Sequence, residues 1–158
     1  MALPAQYFRV GAGAVIINES GLVFATEREG VPGAWQLPQG GLDQNEEPVQ
    51  AVYRELFEET GIRKDDLELL GYHPEPIAYE LPAELRRPKT GRGQVQYWFL
   101  FRFKGDEKKI DITSGGEASS WKWMPFGDLL NAVAHFRKPL YEKLNESFRD
   151  YLKKGGDS

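Results

Sequence analysis

Short runs of apolar residues, separated by glycines and polar turn residues, give much of the chain the pattern of β-strands. Residues 10–17 and 22–26 are apolar and flank a turn-type sequence at 18–21, which predicts a hairpin. The segment 95–103 is rich in aromatic residues and predicts a buried strand. An extended segment over 67–79 is interrupted by Pro74 and Pro76, and a last short strand is predicted over 121–124.

Three other segments carry apolar residues at helical spacing. Residues 47–60 predict a helix, because Pro48 suits a first helical turn and Gly61 suits a C-terminal cap. Two further helices are predicted over 126–134 and 139–153, and loops are predicted over 28–42 and 82–93. Strands and helices are mixed without a regular β-α-β alternation. The expected fold class is therefore an α/β sandwich built around a mixed β-sheet.

Composition restricts the kind of protein that this sequence can encode. A length of 158 residues and an apolar share of 41% predict a single domain over 1–158, with a disordered tail over 153–158. The absence of cysteine excludes disulfides and thiolate zinc sites, and two histidines disfavour a histidine-rich metal site. No apolar run approaches the roughly 20 residues that cross a bilayer, and the N-terminus does not resemble a secretory signal. We expect a cytoplasmic protein with no membrane contact and no obligate protein partner, although a removed transit peptide would leave no trace.

Charge is distributed unevenly along the chain, whose net charge is −4. Residues 43–68 hold nine acidic and three basic side chains, whereas 86–92 hold four basic side chains and no acidic one. An acidic protein is a poor candidate for a non-specific nucleic-acid coat. It can bind a polyphosphate when metal ions lie between the acidic residues and the ligand.

The most informative segment is the acidic helix predicted over 47–60. Glu55, Glu58 and Glu59 stand at positions i, i+3 and i+4, so their side chains are neighbours on one face. Three like charges so close destabilise a helix unless they are neutralised, and carboxylate oxygens suit Mg²⁺ or Mn²⁺. The alternative is a solvated acidic face on an ordinary surface helix. The adjacent pair Gly40 and Gly41 favours the metal site, because glycine lets a backbone carbonyl approach an ion closely.

Residues 40–62 also resemble a known signature, the Nudix box G-x5-E-x7-R-E-U-x-E-E-x-G-U, in which U is an aliphatic residue. Every defined position is matched without a gap, by Gly40, Glu46, Arg54, Glu55, Leu56, Glu58, Glu59, Gly61 and Ile62. The resemblance implies an α/β/α sandwich and hydrolysis of a nucleoside diphosphate linked to another group.

The same resemblance implies roles for individual residues of the box. The implied ligands of two to three Mg²⁺ or Mn²⁺ ions are Glu55, Glu58, Glu59 and the Gly40 carbonyl. Arg54 and Glu46 are expected to hold the loop and the helix in shape, although Glu46 could also cap the helix or reach toward the metals.

Outside the box, the chain is similar to one branch of the family, which contains plant-type diadenosine tetraphosphate hydrolases and bacterial RNA 5′-pyrophosphohydrolases. By this similarity, Glu117 joins the metal site or serves as the base; the alternative is an ordinary loop carboxylate. Tyr79 and Phe136 match aromatic positions that flank the base of the ligand; the alternative is that both are core residues. Arg9 and Gln39 are expected to contact the substrate, and the alternative for Arg9 is a surface base.

Two departures from the branch make the substrate uncertain at this point. Tyr97 stands where the branch has a lysine that reaches phosphate, and the loop between Tyr79 and Gln96 is shorter than in many relatives. Arg86, Arg87, Lys89 or Arg92 could supply the missing charge.

The expected function is metal-dependent cleavage of a phosphoanhydride bond, with diadenosine tetraphosphate, cleaved to ATP and AMP, as the first choice of substrate. Release of pyrophosphate from triphosphorylated RNA is the alternative, and hydrolysis of a nucleotide sugar or ADP-ribose is the third. From a different class, the chain could be a silent nucleotide- or RNA-binding module, which the intact glutamates disfavour. Glu59 is expected to be the base, with Glu117 as its rival.

Overall fold

A computed structural model of the chain describes residues 6–113 and 115–153. Of the tail predicted to be disordered, 154–158 lie outside the described residues. The strands are β1 (Phe8–Ile17), β2 (Val23–Arg28), β3 (Trp35–Gln36), β4 (Gln39–Gly41), β5 (Leu67–Tyr72), β6 (Ile77–Glu80), β7 (Gly93–Phe103) and β8 (Ala118–Met124). The helices are α1 (Pro48–Thr60), α2 (Phe126–Ala132) and α3 (Lys138–Ser147).

All eight strands belong to one mixed sheet. Its main order is β3-β2-β1-β7-β5, with β4 paired to β1, β6 to β7 and β8 to β2. The central strands β1 and β7 run parallel in unbroken register from Phe8 opposite Gly93 to Ile17 opposite Arg102. The other pairs are antiparallel. This arrangement agrees with the predicted α/β class and mixed sheet.

The core lies on both faces of the sheet, because alternate residues of a strand point in opposite directions. Ala12, Ala14 and Ile16 of β1 join one buried cluster with Ala51, Val52 and Leu56 of α1. Val15 and Ile17 join a second cluster with residues of α2 and α3 on the opposite face. Helices therefore cover both faces, as a sandwich requires.

Helix α1 begins and ends where its sequence predicts. Pro48 occupies the first turn, and the backbone N–H of Glu47 donates to the Gln50 side chain at 3.0 Å. Gly61 adopts φ 71°, and its N–H donates to the Phe57 carbonyl, which closes the last turn in a left-handed conformation that favours glycine. The capping residue is Glu47, so the cap role considered for Glu46 is wrong.

Several predicted segments differ in detail from the structure. The helix predicted over 126–134 ends at Ala132, and the extended segment predicted over 67–79 forms two strands, β5 and β6. The predicted loop 28–42 contains β3 and β4, which are only two and three residues long and pair with distant strands. The last predicted helix stops at Ser147 and is followed by a separate 3-10 turn at Arg149–Tyr151. The basic loop contains a 3-10 turn at Ala83–Leu85. In the part of the chain that the structure describes, no helix has the length and apolar character needed to cross a bilayer.

Candidate active site

The acidic face of α1 lies against β4, and glycine makes this contact possible. A Cβ atom placed on Gly40 would lie 2.2 Å from the Glu55 carboxyl carbon, so no other residue fits without displacing Glu55. Strand β4 is held there by pairing with β1, in which Gly40 lies opposite Ala12. The Gly40 backbone and the Glu55 carboxylate are therefore fixed side by side.

Glu59 and Glu117 meet beside Glu55, although they come from distant parts of the chain. The Glu59 carboxyl lies beside the carboxyls of Glu55 and Glu117 in one cleft, close enough for their charges to act on it. Burial, together with the negative charges of Glu117 and Glu55, raises the pKa of Glu59 well above its usual range. Positive charge placed next to Glu59 would stabilise its ionised carboxylate. Hard divalent cations supply such charge and prefer carboxylate oxygens as ligands.

Close packing of a glycine brings Glu117 to this position. A Cβ atom on Gly115 would lie 2.9 Å from the Glu59 Cα and 3.2 Å from its carbonyl oxygen. The Glu117 carbonyl also accepts a hydrogen bond of 3.0 Å from the Glu29 N–H, which ties this loop to the end of β2. The loop before β8 is thus held against the C-terminal end of α1.

Glu58 is placed differently from the other two glutamates of the predicted trio. Its side chain is 55% exposed, and its Oε2 lies 3.3 Å from Arg54 Nη1. Within residues 6–113 and 115–153, no three acidic or histidine side chains already lie in an arrangement that encloses a metal ion. The donor set nevertheless fits a hard divalent cation, since the oxygen-bearing side chains of Glu55, Glu59 and Glu117 line one cleft and Glu59 neighbours the other two.

Arg54 connects the glycine loop to the acidic helix. Its Nε and Nη2 each donate to Glu46 at 2.9 Å, and Nη2 also donates to the Gly41 carbonyl at 2.9 Å. Its Nη1 donates to Glu55 at 2.9 Å. These hydrogen bonds from Arg54 are the main cause that lowers the pKa of Glu46 to about 2. The expected shape-holding role of Arg54 and Glu46 agrees with these contacts, and it stays a prediction until it is tested.

Besides the carboxylates, the cleft is lined by Arg9, Gln39 and Gln94, whose side chains carry hydrogen-bond donors and are called the donor wall below. The cleft has a volume of about 160 Å³ and is lined by Arg9, Gln39, Gly40, Gly41, Glu55, Glu59, Gln94 and Glu117. The Arg9 guanidinium lies across Gly41, where a Cβ atom would be 2.5 Å from Nη2. The Arg9 side chain has no ion pair or hydrogen bond within the described part of the chain. Its charge is therefore available to an anion.

The predicted aromatic pair packs together. The ring centroids of Tyr79 and Phe136 are 6.1 Å apart, and the Arg137 guanidinium lies within 6.0 Å of both centroids. Tyr79 is only 8% exposed and belongs to the core, whereas Phe136 is partly buried against it. The structure brings the two residues into one cluster, and their contact with a nucleobase stays a prediction.

Tyr97 and the basic loop stand apart from the cleft. Tyr97 pairs in register with Ala12 and therefore shares the α1 face of the sheet, whereas Arg9 points to the opposite face. Arg86 and Arg92 form ion pairs with Glu80 at 3.6 and 2.8 Å. Within the described residues, none of Arg86, Arg87, Lys89 and Arg92 lines the cleft, and whether one of them replaces the lysine expected at Tyr97 stays a prediction.

Sequence reasoning missed Gln94 and Gln96. Gln94 lines the cleft, and Gln96 is 0% exposed and donates hydrogen bonds to both Gln39 and Gln94. The available signal was a pair of amides at i and i+2 in a strand of apolar residues, which places both on one face.

Comparison with known proteins agrees with this geometry. The family model described as the NUDIX domain matches residues 7–144. The chain belongs to the Nudix family. The resemblance seen in residues 40–62 is thus confirmed, together with the α/β fold and the assignment as a hydrolase.

Nudix relatives of known name match along nearly the whole chain. An RNA pyrophosphohydrolase of Cereibacter sphaeroides is 40% identical over 150 residues, covering 92% of this chain and 93% of the relative. An RNA pyrophosphohydrolase of Rhizobium meliloti is 39% identical over 157 residues, covering 89% and 93%. The crystal structure of a C. elegans Ap4A hydrolase binary complex superposes with a TM-score of 0.66 at 22% identity, covering 90% and 98%. The chain is a Nudix pyrophosphohydrolase, and this family generally depends on divalent metal ions.

Proposed function

We propose that this enzyme removes pyrophosphate from the triphosphorylated 5′ end of RNA. The observation that carries the proposal is the 40% identity, over 92% of the chain, with a relative named RNA pyrophosphohydrolase. Sequence alone placed diadenosine tetraphosphate first and RNA second. We propose the reverse order, because the similarity to the Ap4A hydrolase is at 22% identity, a level that supports the fold alone.

The two walls of the cleft suit a metal-bound polyphosphate. Glu55, Glu59 and Glu117 form the acidic wall, and Arg9 stands on the donor wall across the same cleft. A polyphosphate that carries divalent cations presents positive charge to one wall and phosphate oxygens to the other. The arrangement of charge therefore supports a phosphoanhydride substrate more directly than it supports any particular nucleoside.

Each residue predicted to bind metal or substrate has a proposed task. Two to three Mg²⁺ or Mn²⁺ ions would neutralise the phosphate oxygens and acidify the attacking water. Glu55, Glu58, Glu59, Glu117 and the Gly40 carbonyl would hold them. Arg9 and Gln39 bind phosphate oxygens, and Tyr79 and Phe136 contact the first base. Glu59 takes the proton of the water, since burial and the neighbouring charges of Glu117 and Glu55 raise its pKa; Glu117 is the rival base.

The proposed setting follows from this substrate. We place the enzyme in the cytoplasm, where triphosphorylated RNA is found, acting as one domain over 1–158 without an obligate protein partner. RNA 5′ ends and small nucleoside polyphosphates are its proposed ligands.

A substrate panel tests the proposal. Triphosphorylated RNA, diadenosine tetraphosphate, ADP-ribose and GDP-mannose are incubated with the full chain and Mg²⁺, and the products are identified. We expect pyrophosphate and 5′-monophosphorylated RNA at the highest kcat/KM, with all activity abolished by EDTA. A higher kcat/KM for diadenosine tetraphosphate would return the order to that expected from sequence. No turnover of any member would refute the proposal.

A further inference from the structure

A fully buried amide lies beneath the donor wall of the cleft. Gln96 of β7 is 0% exposed, and its Nε2 donates to Gln39 Oε1 at 2.7 Å and to Gln94 Oε1 at 2.8 Å. A carboxamide nitrogen carries two hydrogens, so these two bonds use both. No bulk water competes with them at a buried position.

The Gln96 side chain crosses β1 to reach Gln39. The two residues lie on strands that flank β1, and strands two apart in a sheet are separated by roughly 9.5 Å. Gly11 of β1 is the register partner of Gln96, and a Cβ atom on Gly11 would lie 3.8 Å from Gln96 Cγ. The Gln96 side chain therefore lies within ordinary van der Waals range of the Gly11 position and crosses β1 to the amide of Gln39.

We propose that Gln96 is a positioning residue that fixes how Gln39 and Gln94 face the polyphosphate. Each neighbour turns its oxygen toward Gln96, so its –NH₂ group is the end left for the cleft, beside Arg9. Within the described residues, neither –NH₂ group has a protein partner. A donor wall of two amides and one guanidinium binds phosphate oxygens, whereas the reverse orientation would present two carbonyl oxygens and repel them. The inference rests on the proposed function for the identity of the ligand.

The other atom of the Gln96 amide supports a functional reason for this residue. Its Oε1 is buried and has no hydrogen-bond partner within the described residues. A buried acceptor without a partner is destabilising, and an apolar side chain of the same shape would avoid it. Positions that break a folding rule in this way are expected at functional sites.

The test measures binding rather than turnover. Imidodiphosphate, a pyrophosphate analogue with a non-hydrolysable P–N–P bridge, is titrated into the full chain with Mg²⁺ by calorimetry. Gln96→Met is nearly isosteric and removes the two hydrogen bonds, whereas Gln96→Glu can only accept and so turns both neighbours around. Ile77→Val is the matched control, because Ile77 is the buried register partner of Gln96 on β6 and its side chain cannot form hydrogen bonds.

We expect Gln96→Glu to weaken imidodiphosphate binding about tenfold or more, since donors to a charged ligand are withdrawn. Gln96→Met should weaken binding less, and Ile77→Val should bind like the parent. In a chain that already carries Gln39→Leu and Gln94→Leu, adding Gln96→Met should change binding no further, a result that a merely structural role would not give.

Two results would overturn the inference. The first is that the folded Gln96→Met and Gln96→Glu variants bind imidodiphosphate as tightly as the parent does. The second is fast exchange of the Gln96 side-chain amide protons with solvent in the ¹⁵N-labelled parent, since hydrogen bonds to Gln39 and Gln94 should make that exchange slow. If the RNA assay fails but the Gln96 variants still lose imidodiphosphate binding, only the proposed substrate is wrong.

Discussion

Replacement of Arg54 by methionine offers a direct measure of how the acidic helix is held. The substitution keeps the aliphatic stem and removes the guanidinium. The contacts that matter are the two 2.9 Å bonds to Glu46 and the 2.9 Å bond to the Gly41 carbonyl. The side chains of Arg54 and Glu46 are 25% and 14% exposed, so these bonds are largely shielded from water.

The expected loss of stability is about 3 kcal/mol. A hydrogen bond to a charged group contributes about 1.5–3 kcal/mol, but bonds from one guanidinium form a network and do not add. The pairs with Glu58 and Asp43 are omitted because those carboxylates are 55% and 70% exposed. For a chain of this length, about 3 kcal/mol corresponds to a fall in Tm of about 6–12 °C.

Thermal unfolding followed by circular dichroism in EDTA provides the measurement. Arg149→Met is the matched control, because Arg149 pairs with Glu146 at 3.0 Å while both side chains are about 70% exposed. The control should lower Tm by less than about 2 °C. Excess Mg²⁺ should return part of the Tm lost by Arg54→Met, since the cation takes over neutralisation of Glu55. Equal Tm values for the two variants would refute the assignment of Arg54 as the brace of the site.

Three further changes are expected to separate chemistry from stability. Glu59→Gln should reduce turnover by orders of magnitude, yet raise Tm in EDTA. That gain in Tm should grow as pH rises from about 4.5. Above this pH the unfolded chain ionises Glu59 readily, whereas its raised pKa in the folded chain opposes ionisation and so lowers the stability of the parent. An unchanged turnover rate would count against the catalytic role of Glu59. Ionised Glu46 stabilises the parent above pH 4.5, and this contribution is lost as pH falls toward 2, because the pKa of Glu46 is lowered in the folded chain. Glu46→Gln should lack this contribution, so its Tm should depend less on pH between 4.5 and 2. Parallel Tm curves of variant and parent over that range would contradict the lowered pKa. Gly115→Ala should raise the Mg²⁺ concentration needed for half-maximal rate by displacing Glu117, whereas Gly127→Ala, whose Cβ would meet nothing within 4 Å, should not.

Local patterns in the sequence were sufficient to predict α1 and its acidic face. The proline and glycine that bound the helix act within one turn, and the spacing of the glutamates is a property of the helix itself. The strands β3 and β4 could not be predicted, because they are too short to show a period and are defined by pairing with distant β2 and β1.

The candidate site divides in the same way. The glutamates of α1 are local and were predicted, whereas Gln96 acts by reaching over β1 to β4, a contact that depends on strand order. Spacing on a helix also does not fix where a carboxylate points. Glu58 meets Arg54, while Glu117, distant in sequence, contacts Glu59.

The parallel pairing of β1 with β7 has a consequence for biosynthesis. Phe8 of β1 pairs with Gly93 of β7, so β1 cannot pair with β7 until the chain has been synthesised beyond residue 93. A nascent chain from which the whole of α1 has left the ribosome therefore still lacks the central strand pair of its sheet. Contacts so distant in sequence form slowly, because a long loop must close before they stabilise anything. The cleft, which needs Arg9 beside Gln94 and Glu117 beside Glu59, is completed only after most of the polypeptide has left the ribosome.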